Sequence, residues 1–343
     1  MDDVTEPMMR HRRKPSAKKR RWRITLISIG SVLALLIAGV GVYAYSITQR
    51  FDSVQKIADA FPDDGLRPPV VHVKGPAPQN ILLLGSDTRG AIDGNLDDAK
   101  GNRSDTMMIV HIPADRQNIQ VMSLMRDFWV DIPGHGKAKL NAALAYGGVS
   151  LVVQTIEGII DSRIDHVAVV DFQGFKGITD ALGGVTIDNP MGFNSYHMRG
   201  HHFDKGKLEL NGTEALAFVR ERYAFVDGDY QRVRNQQLFI KAVMGKTLSR
   251  ETLTNPVTIS NLVGAIAPFM AVDKGFNSGY AVSLGLQLRD IRVDHVKFFT
   301  MPTLGTGNEG GQSIVKVNWD EVPKIQAAFK DDTLDAYTPP TRP

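Results

Sequence analysis

Short apolar runs alternate with helical apolar repeats along most of the chain from residue 79 onward. The run at 80–85 is continuously apolar, which is typical of a strand buried on both faces of a sheet. Further strands are predicted at 106–112, 119–125, 166–170 and 296–301, the last of them central in the sheet. The pattern therefore indicates a sheet that is covered on both sides.

Helical spacing predicts the elements that cover this sheet. Residues 140–160 form the longest such segment, which Gly147 and Gly148 interrupt. Asn211 precedes Glu214 by three positions, a capping box that begins a helix extending to about residue 223. Further helices are predicted at 172–182, 230–248, 259–272 and 320–330. Because strands and helices alternate, we expect an α/β fold: a three-layer α/β/α domain with a mixed, mostly parallel central sheet.

A separate apolar segment, residues 24–47, precedes this domain and contains 24 residues without a charge. About 20 apolar residues suffice to cross a bilayer core. A cleaved signal peptide would have a shorter apolar region, of roughly 7–15 residues, and a buried core helix is the third interpretation. Because Lys and Arg precede the segment, we predict one transmembrane signal-anchor helix with the N-terminus in the cytoplasm.

Charge is distributed unevenly around this predicted span. Residues 1–23 hold nine Lys and Arg against three Asp and Glu, whereas the rest of the chain holds 31 against 34. The acidic balance of the folded part and the shortness of the basic tail argue against nucleic-acid binding. The chain has no cysteine, which excludes disulfide scaffolds, zinc ribbons, iron–sulfur clusters and thiol catalysis.

These features predict five regions along the chain. They are a cytoplasmic basic tail at 1–23, the transmembrane helix at 24–47, a juxtamembrane helix and linker at 48–78, an extracytoplasmic folded domain at 79–332 and a flexible tail at 333–343. The linker is punctuated by five prolines, which disfavour regular structure there.

Three familiar kinds of site are not supported by the spacing. No Gly-x-Ser-x-Gly sequence occurs, which argues against an α/β-hydrolase serine. Residues 245–247 resemble the end of a phosphate loop, but Ile240 stands where the loop requires glycine. His197, His201 and His202 have metal-like spacing, but they lie in a predicted loop, so we interpret them as solvated histidines.

Charged residues stand instead at the ends of predicted strands. Three Asp–Arg pairs have this position: Asp87 with Arg89, Arg103 with Asp105, and Arg126 with Asp127. The first and third pairs follow their strands, and the carboxyl ends of parallel strands form an edge where ligands bind. The second pair precedes its strand, so it shares that edge only if the strand is antiparallel. Each pair alone could also be a surface salt bridge.

A second polar group surrounds the start of the predicted helix at 230–248. Its members are Arg220, Arg222, Asp227, Asp229, Arg232 and Gln236. Guanidinium groups make forked hydrogen bonds to phosphate oxygens, and nearby carboxylates tolerate phosphate if Mg²⁺ bridges the two. A solvated helix face would explain the same spacing. Arg with Asp, and no Ser, Cys or His nucleophile, favours phosphoryl chemistry by positioning and charge neutralisation.

At these residues the sequence resembles the LytR–CpsA–Psr family of membrane-anchored, cell-envelope phosphotransferases. Seven blocks between residues 80 and 242 carry the resemblance: NILLLGSDTRG, NRSDTMMIVHI, VMSLMRDFWVDI, KLNAALAYGG, VVDFQGFKGITDALGGV, LNGTEALAFVRER and RVRNQQ. The resemblance implies an α/β/α domain that transfers a polyprenyl-pyrophosphate-linked glycan, with its phosphate, to a peptidoglycan hydroxyl and releases polyprenyl phosphate. Teichoic acid, capsule and arabinogalactan are all compatible donors.

The resemblance also assigns roles to individual residues. Asp87 and Asp105 match the carboxylates that hold Mg²⁺ or Mn²⁺. The positions that match the pyrophosphate-binding set are Arg89, Arg103, Arg126, Arg220, Arg222, Arg232 and Gln236. The predicted catalytic residues are Arg126, Asp105, Asp127 and Arg220, with Asp127 as the candidate base. The family binds its lipid in an apolar cavity between sheet and helices, which implies a similar cavity here.

Three functions are compatible with these observations. The first is a Mg-dependent transferase that acts on a lipid-linked donor and a peptidoglycan acceptor and contacts the membrane through its N-terminal helix. The second is a polyprenyl pyrophosphatase, which would use the same site with water as acceptor. The third is a non-catalytic regulator or scaffold that binds envelope lipids. We expect the transferase.

Overall fold

The computed structural model describes residues 45–46, 48–70, 75–86, 104–253 and 255–340, apart from the side chains of Asp105, Leu253 and Pro256. The chain divides into two compact units, Met1–Thr48 and Gln49–Pro343. The described residues of the first unit, 45, 46 and 48, are helical. The predicted basic tail and nearly all of the predicted span at 24–47 lie outside the described residues.

Strands and helices alternate through the second unit. The strands are β1 Gln55–Ile57, β2 Gln79–Ser86, β3 Ser104–Ile112, β4 Ile119–Leu124, β5 Trp129–Ile132, β6 Gly136–Lys139, β7 His166–Val170, β8 Val185–Asn189, β9 Phe193–Asn194, β10 His202–Phe203, β11 Gly206–Leu210, β12 Met270–Asp273, β13 Val296–Thr300, β14 Thr303–Glu309 and β15 Gln312–Val317. The helices are α1 Ala142–Ile160, α2 Phe172–Ala181, α3 Gly212–Arg220, α4 Asp229–Thr247, α5 Arg250–Leu253, α6 Pro256–Ile266, α7 Ser278–Gln287 and α8 Val322–Lys330. Short 3-10 helices occupy Asp64–Leu66, Ala267–Phe269 and Val293–His295.

A sheet in the order β1-β12-β7-β2-β3-β4-β13 forms the centre of this unit. The sheet is mixed, as predicted, but it is not mostly parallel. Among the described strands, β1 with β12, β7 with β2, and β4 with β13 are parallel, and the other three neighbouring pairs are antiparallel. β3 and β4 are antiparallel because residues 113–118 join them, a connection too short for the crossover that a parallel pair requires.

Alternate residues of the central strands are buried against helices on opposite faces of the sheet. Leu82 and Ile109 belong to a core cluster that includes residues of α1 and α8. Ile81 and Met108 belong to a second cluster, against which Leu284 of α7 packs. Successive strand side chains point to opposite faces, so two helical layers cover the sheet.

The longest described helix, α1, has the interruption that its sequence predicts. Gly147 and Gly148 have non-helical backbone angles, with φ of −149° and 65°. By length and composition α1 could cross a membrane. Val152, Val153 and Ile156 are nevertheless completely buried in the domain, so α1 is a core helix.

The helix predicted at 259–272 is wrong in its second half. α6 ends at Ile266, a 3-10 helix containing Pro268 follows, and residues 270–273 form β12. Proline has no N–H to donate to the preceding turn, and Ala271 and Val272 are fully buried between β1 and β7. The strand predicted as central near residue 296 is also wrong in position, because β13 lies at the end of the sheet.

The folded domain extends beyond its predicted limits of 79 and 332. Residues 55–57 of the predicted linker form β1, and the Arg67 guanidinium donates to the buried Glu157 carboxylate at 2.7 Å. In the predicted flexible tail, Leu334 is 1% exposed, and the Tyr337 hydroxyl donates to Glu321 Oε2 at 3.0 Å. Both segments are therefore fastened to the domain by buried or paired side chains.

Candidate active site

The carboxyl ends of β2, β4, β7 and β13 lie at one edge of the central sheet. β3 is antiparallel to β2 and therefore begins at this edge. The sequence placed Asp105 at this edge only if its strand were antiparallel. β3 is antiparallel, so the backbone of Asp105 lies at the edge. The Asp105 side chain, and Asp87, Arg89 and Arg103 as whole residues, lie outside the described residues.

Arg126 and Asp127 follow β4 and are held in place through their backbone. The Asn141 N–H donates to the Arg126 carbonyl at 3.0 Å, and the Val315 N–H donates to the Asp127 carbonyl at 2.8 Å. These two contacts come from segments far away in the sequence. The turn after β4 is therefore fixed from both sides, and both side chains project from the sheet edge.

Asp229, the first residue of α4, lies among the arginines, although the predicted site residues omit it. Its Oδ2 atom is 3.1 Å from Arg232 Nη2 and 3.5 Å from Arg126 Nε, and its Oδ1 atom is 3.6 Å from Arg222 Nη1. Three guanidinium groups from separate segments thus converge on one carboxylate. Their mutual repulsion is offset at the point where an anionic substrate would meet them.

Asp127 and Asp229 are hydrogen-bonded to each other and titrate as a pair. Burial raises the pKa of Asp127, and the bond to Asp229 raises it further, against the charges of Arg126 and of Lys139, whose Nζ is 3.2 Å from Asp127 Oδ1. Burial would also raise the pKa of Asp229, but the charges of Arg232 and Arg126 outweigh it and hold that pKa below its usual value. When the pair holds one proton, the proton therefore belongs to Asp127.

The turn after α3 positions Arg220 and Arg222. Arg220 ends the helix, and Glu221 leaves helical geometry with ψ of 130°. Glu221 is completely buried, and its carboxylate accepts hydrogen bonds from the Tyr196 N–H at 2.6 Å and from the Arg222 and Tyr223 N–H groups at 3.1 Å. Because one buried carboxylate satisfies several backbone donors, the turn has a single conformation. Sequence reasoning did not identify this role.

Aromatic rings contact these two guanidinium groups, and His197 bonds to the backbone of Arg220. The Arg220 guanidinium carbon lies 4.6 Å from the Phe172 ring centroid, and that of Arg222 lies 4.5 Å from the Tyr223 ring centroid. His197 Nε2 donates to the Arg220 carbonyl at 3.1 Å. Burial and the charge of Arg220 lower the pKa of His197. His197 therefore lies in a loop, as predicted, but it is half-buried and hydrogen-bonded there instead of fully solvated.

Two cavities meet at the arginines. The open cavity, of about 1020 Å³, is lined by polar residues that include Arg126, Asp127, Lys139, Arg222, Tyr223, Asp227 and Asp229. The apolar cavity, of about 300 Å³, lies between the sheet and the helices α2, α3 and α4, and its lining includes Leu83, Val170, Phe175, Ile178, Phe239 and Val243. Arg126, Arg222 and Tyr223 line both. Two arginines therefore lie where the two cavities meet.

The described members of the predicted pyrophosphate-binding set are brought together at this junction. Arg126, Arg220, Arg222, Arg232 and Gln236 all line the apolar cavity. Arg232 and Gln236 share the buried face of α4 and are 4% and 7% exposed. The apolar cavity, the arginines and the open polar cavity adjoin in that order. A molecule with a long apolar chain, a multiply charged anionic group and a polar remainder would fit them.

A buried carboxyl lies at the same sheet edge. Asp171 follows Val170, which pairs with Gly85 at the end of β2. Its Oδ1 atom accepts a hydrogen bond from the Gly174 N–H at 2.8 Å and caps α2, whereas Oδ2 is buried with no hydrogen-bond partner among the described residues. Burial raises the pKa of Asp171. An oxygen in this position is available to a ligand or ion at the edge.

The chain is similar to known proteins over most of its length. The LytR_cpsA_psr family model matches residues 41–331. TagU of Enterococcus faecalis, named a polyisoprenyl-teichoic acid–peptidoglycan teichoic acid transferase, is 31% identical over 315 residues, which cover 90% of this chain and 97% of that protein. The TagU protein of Bacillus cereus strain AH820 is 36% identical over 226 residues, or 65% of this chain and 71% of that protein.

Solved structures share the fold. TagV of B. subtilis is 22% identical with a TM-score of 0.63, over 78% of this chain and all of that chain (100%). Protein gbs0355 from Streptococcus agalactiae is 24% identical with a TM-score of 0.65, over 78% and 91%. TagT bound to LI-WTA is 23% identical with a TM-score of 0.59, over 80% and 98%. Because the family match spans the whole sheet and its site, and a relative above 30% identity spans nearly the whole chain, this protein belongs to the LytR–CpsA–Psr family.

Proposed function

We propose that the protein transfers a glycopolymer from a polyprenyl pyrophosphate to a hydroxyl of peptidoglycan and releases polyprenyl phosphate. The observation that carries this proposal is the set of arginines at the junction of an apolar and an open polar cavity. The apolar cavity suits the lipid, the guanidinium groups suit the pyrophosphate, and the open cavity suits the glycan and the acceptor. Because the TagU relatives are named teichoic acid transferases, a teichoic acid donor is the first to test.

The reaction requires charge neutralisation and one proton acceptor. The acceptor hydroxyl oxygen attacks the phosphorus that bears the glycan, and the bond from that phosphorus to the polyprenyl phosphate oxygen breaks. Arg126, Arg220 and Arg222 stabilise the charge that develops on the phosphate oxygens. The hydroxyl proton passes to ionised Asp127, which lines the open cavity. Asp229 remains ionised and keeps the guanidinium groups oriented.

A divalent cation belongs to this proposal. The resemblance assigns the cation to Asp87 and Asp105, and the described residues contain no cluster of three His, Asp or Glu side chains. The buried Asp171 Oδ2 atom at the same edge fits a site that takes oxygen ligands. When bound, Mg²⁺ or Mn²⁺ would neutralise charge on the pyrophosphate.

The membrane location is also part of the proposal. The uncharged segment at 24–47, with basic residues before it, supports a single transmembrane anchor whose C-terminal side carries the domain outside the cytoplasm. This topology places the site on the side of the membrane where peptidoglycan is found.

Radiolabelled lipid-linked teichoic acid precursor and peptidoglycan oligomers test the activity. We expect labelled phosphate to appear on peptidoglycan together with the glycan. Label released as free phosphate or as glycan phosphate, with none on peptidoglycan, would show a pyrophosphatase instead. Binding of the donor without any bond cleavage would leave only the scaffold function.

Transfer should depend on pH through Asp127. A base must be ionised to act, and because the pKa of Asp127 is raised, the rate should fall during acidification at a higher pH than an ordinary aspartate would give. Asp127→Asn should lower the rate by about 10²–10⁴-fold and remove this acidic limb. The exposed Asp131 provides the control, and Asp131→Asn should keep both the rate and the limb. An unchanged pH–rate profile in Asp127→Asn would assign the base elsewhere.

Removal of divalent cations should stop transfer. With EDTA present we expect the rate to fall by on the order of 10²-fold or more, because a metal ion contributes several kcal/mol of charge stabilisation. Added Mg²⁺ or Mn²⁺ should restore it. Asp87→Ala and Asp105→Ala should show the same loss without restoration, measured in the same assay across a Mg²⁺ titration. Full activity in EDTA would contradict the cation proposal and leave the arginine assignment standing.

A further inference from the structure

Two neighbouring segments on one side of the domain contain no charged residue. The first lies between Glu251 and Asp273 and includes α6, and the second lies between Lys274 and Arg289 and includes α7. A helix at the surface of a water-soluble domain normally has charged residues on its solvent side. The absence of charge from two helices together therefore needs an explanation other than burial, since both are partly exposed.

Large apolar side chains on these helices are exposed. Val282 and Leu286 are four residues apart on α7, so they share one face, and they are 54% and 63% exposed. Val257, in the first turn of α6, is 63% exposed. We call these exposed side chains, Val257 of α6 with Val282 and Leu286 of α7, the uncharged face. Exposed apolar surface of this kind is typical of contact with a membrane or a partner.

The chain enters the domain beside the uncharged face. Arg50 Nη1 donates to Ser260 Oγ of α6 at 3.3 Å. Asp52 accepts hydrogen bonds from the Ser278 N–H at 2.9 Å and from Ser278 Oγ at 2.7 Å, at the first residue of α7. Arg50 is the third residue after the end of the predicted span at residue 47, a reach of at most about 10 Å. Both helices therefore contact the residues of the domain that follow the predicted anchor most closely along the chain.

Aromatic residues and the apolar cavity adjoin this surface. The Phe51 ring stacks on Phe276 with centroids 6.0 Å apart, and Phe276 contacts Tyr280 of α7 at 4.9 Å. Aromatic side chains are enriched where proteins meet the membrane interface. Leu83 lines the apolar cavity and belongs, with Phe276 and Leu284, to one apolar cluster. Apolar packing is therefore continuous from the cavity to α7.

We propose that α6 and α7 rest on the lipid bilayer that holds the predicted span, with the uncharged face at the boundary of headgroups and acyl chains. The hydrogen bonds of Arg50 and Asp52 hold the two helices beside the segment that leads to the predicted span, and the absence of charged residues within α6 and α7 lowers the cost of desolvation there. The inference rests on the membrane location proposed above and not on the transfer reaction. Its consequence is that the domain has one fixed side toward the membrane.

Because the chain has no cysteine, single cysteines can be labelled in the full-length protein. We would place an environment-sensitive fluorophore at Val282→Cys or Leu286→Cys and reconstitute the protein in vesicles of phosphatidylglycerol and phosphatidylcholine. Some of the lipid would carry a nitroxide near the headgroup end of its acyl chain. Leu304→Cys is the matched control, since Leu304 is 55% exposed and lies in β14, which follows β13 at the end of the sheet opposite β1. Leu35→Cys, in the predicted span, reports insertion.

Quenching by the nitroxide lipid should be at least about twofold stronger at 282 and 286 than at 304, because an interfacial helix buries its apolar face by several ångströms. The label at 35 should also be quenched. Quenching at 35 but equal quenching at 282, 286 and 304 would overturn the proposal. An unquenched label at 35 would overturn it too, since the anchor would then be missing. No substrate is present, so failure of the transfer assay would leave this result unaffected.

Charge reversal of the surface provides a second measurement. With a label at Val257→Cys, the double variant V282E/L286E should lose the enhanced quenching, because two carboxylates would have to be desolvated at the interface. Leu304→Glu should leave the same signal unchanged. Quenching at 257 that persists in the double variant would contradict a membrane contact made by both helices.

Discussion

Replacing Arg126 by alanine should slow glycopolymer transfer by about 10³-fold, because Arg126 lines both cavities and its guanidinium stabilises the charge that develops on the phosphate oxygens. Its Nε atom is 3.5 Å from both Asp127 and Asp229, and its backbone is fixed by Asn141. Arg126→Lys keeps the charge but loses the forked donors, so a loss of on the order of 10²-fold should remain. Initial rates of label transfer at saturating donor measure both effects.

Arg234 is the matched control for this experiment. It lies on α4 beside the site, its side chain is 44% exposed, and it pairs with Asp227 at the surface. Arg234→Ala should change the rate by no more than about twofold, as is usual for an exposed substitution. Equal losses in Arg126→Ala and Arg234→Ala would show that net positive charge near the site matters and that the specific position of Arg126 does not.

Glu221→Ala should lower the free energy of unfolding by about 3–5 kcal/mol, the largest stability effect that we expect from a polar substitution near the site. Its carboxylate is completely buried, and its removal leaves the N–H groups of Tyr196, Arg222 and Tyr223 without their acceptor. Because the same turn positions Arg222, transfer should also fall. Urea unfolding of the detergent-solubilised protein, followed by tryptophan fluorescence, measures the stability change.

Glu214 allows the helix to be tested apart from the turn. It lies in the first turn of α3 and accepts a hydrogen bond from the Asn211 N–H at 3.0 Å, at the solvent-exposed end of the helix. Glu214→Ala should cost about 1 kcal/mol or less, since the exposed donor can turn to water. If Glu221→Ala were no more destabilising than Glu214→Ala, the hydrogen bonds of the buried carboxylate would not be what holds the turn.

The site shows how a group of arginines can be kept close together before a substrate arrives. Asp229 contacts Arg126, Arg222 and Arg232, and those positive charges keep it ionised. Asp127 does not hold these three guanidinium groups together, and its raised pKa makes it the better proton acceptor of the two carboxylates. Two carboxylates of the same residue type thus have different properties because their neighbours differ.

The sequence predicted most elements of the fold because their signals are local. The capping box at Asn211 and Glu214 and the interruption at Gly147 and Gly148 depend on residues within one or two helical turns, and all four have the predicted roles. The arginines were also recognisable, because their spacing and their resemblance to a family are properties of the chain itself. The strand after Pro268 was missed, since its apolar residues suit a buried helix as well as a buried strand.

What tertiary structure alone decided is which distant residues meet. Strand direction placed Asp105 at the same edge as Arg126, and packing brought β1 from the supposed linker into the sheet. Tertiary contacts also bring Asp229 to three arginines, which its position in the sequence does not show. The raised pKa of Asp127 likewise comes from its burial and from the neighbouring Asp229. Periodicity and capping act over a few residues and can be read from the chain. Burial and electrostatic coupling depend on contacts between remote segments, so they exist only in the folded molecule.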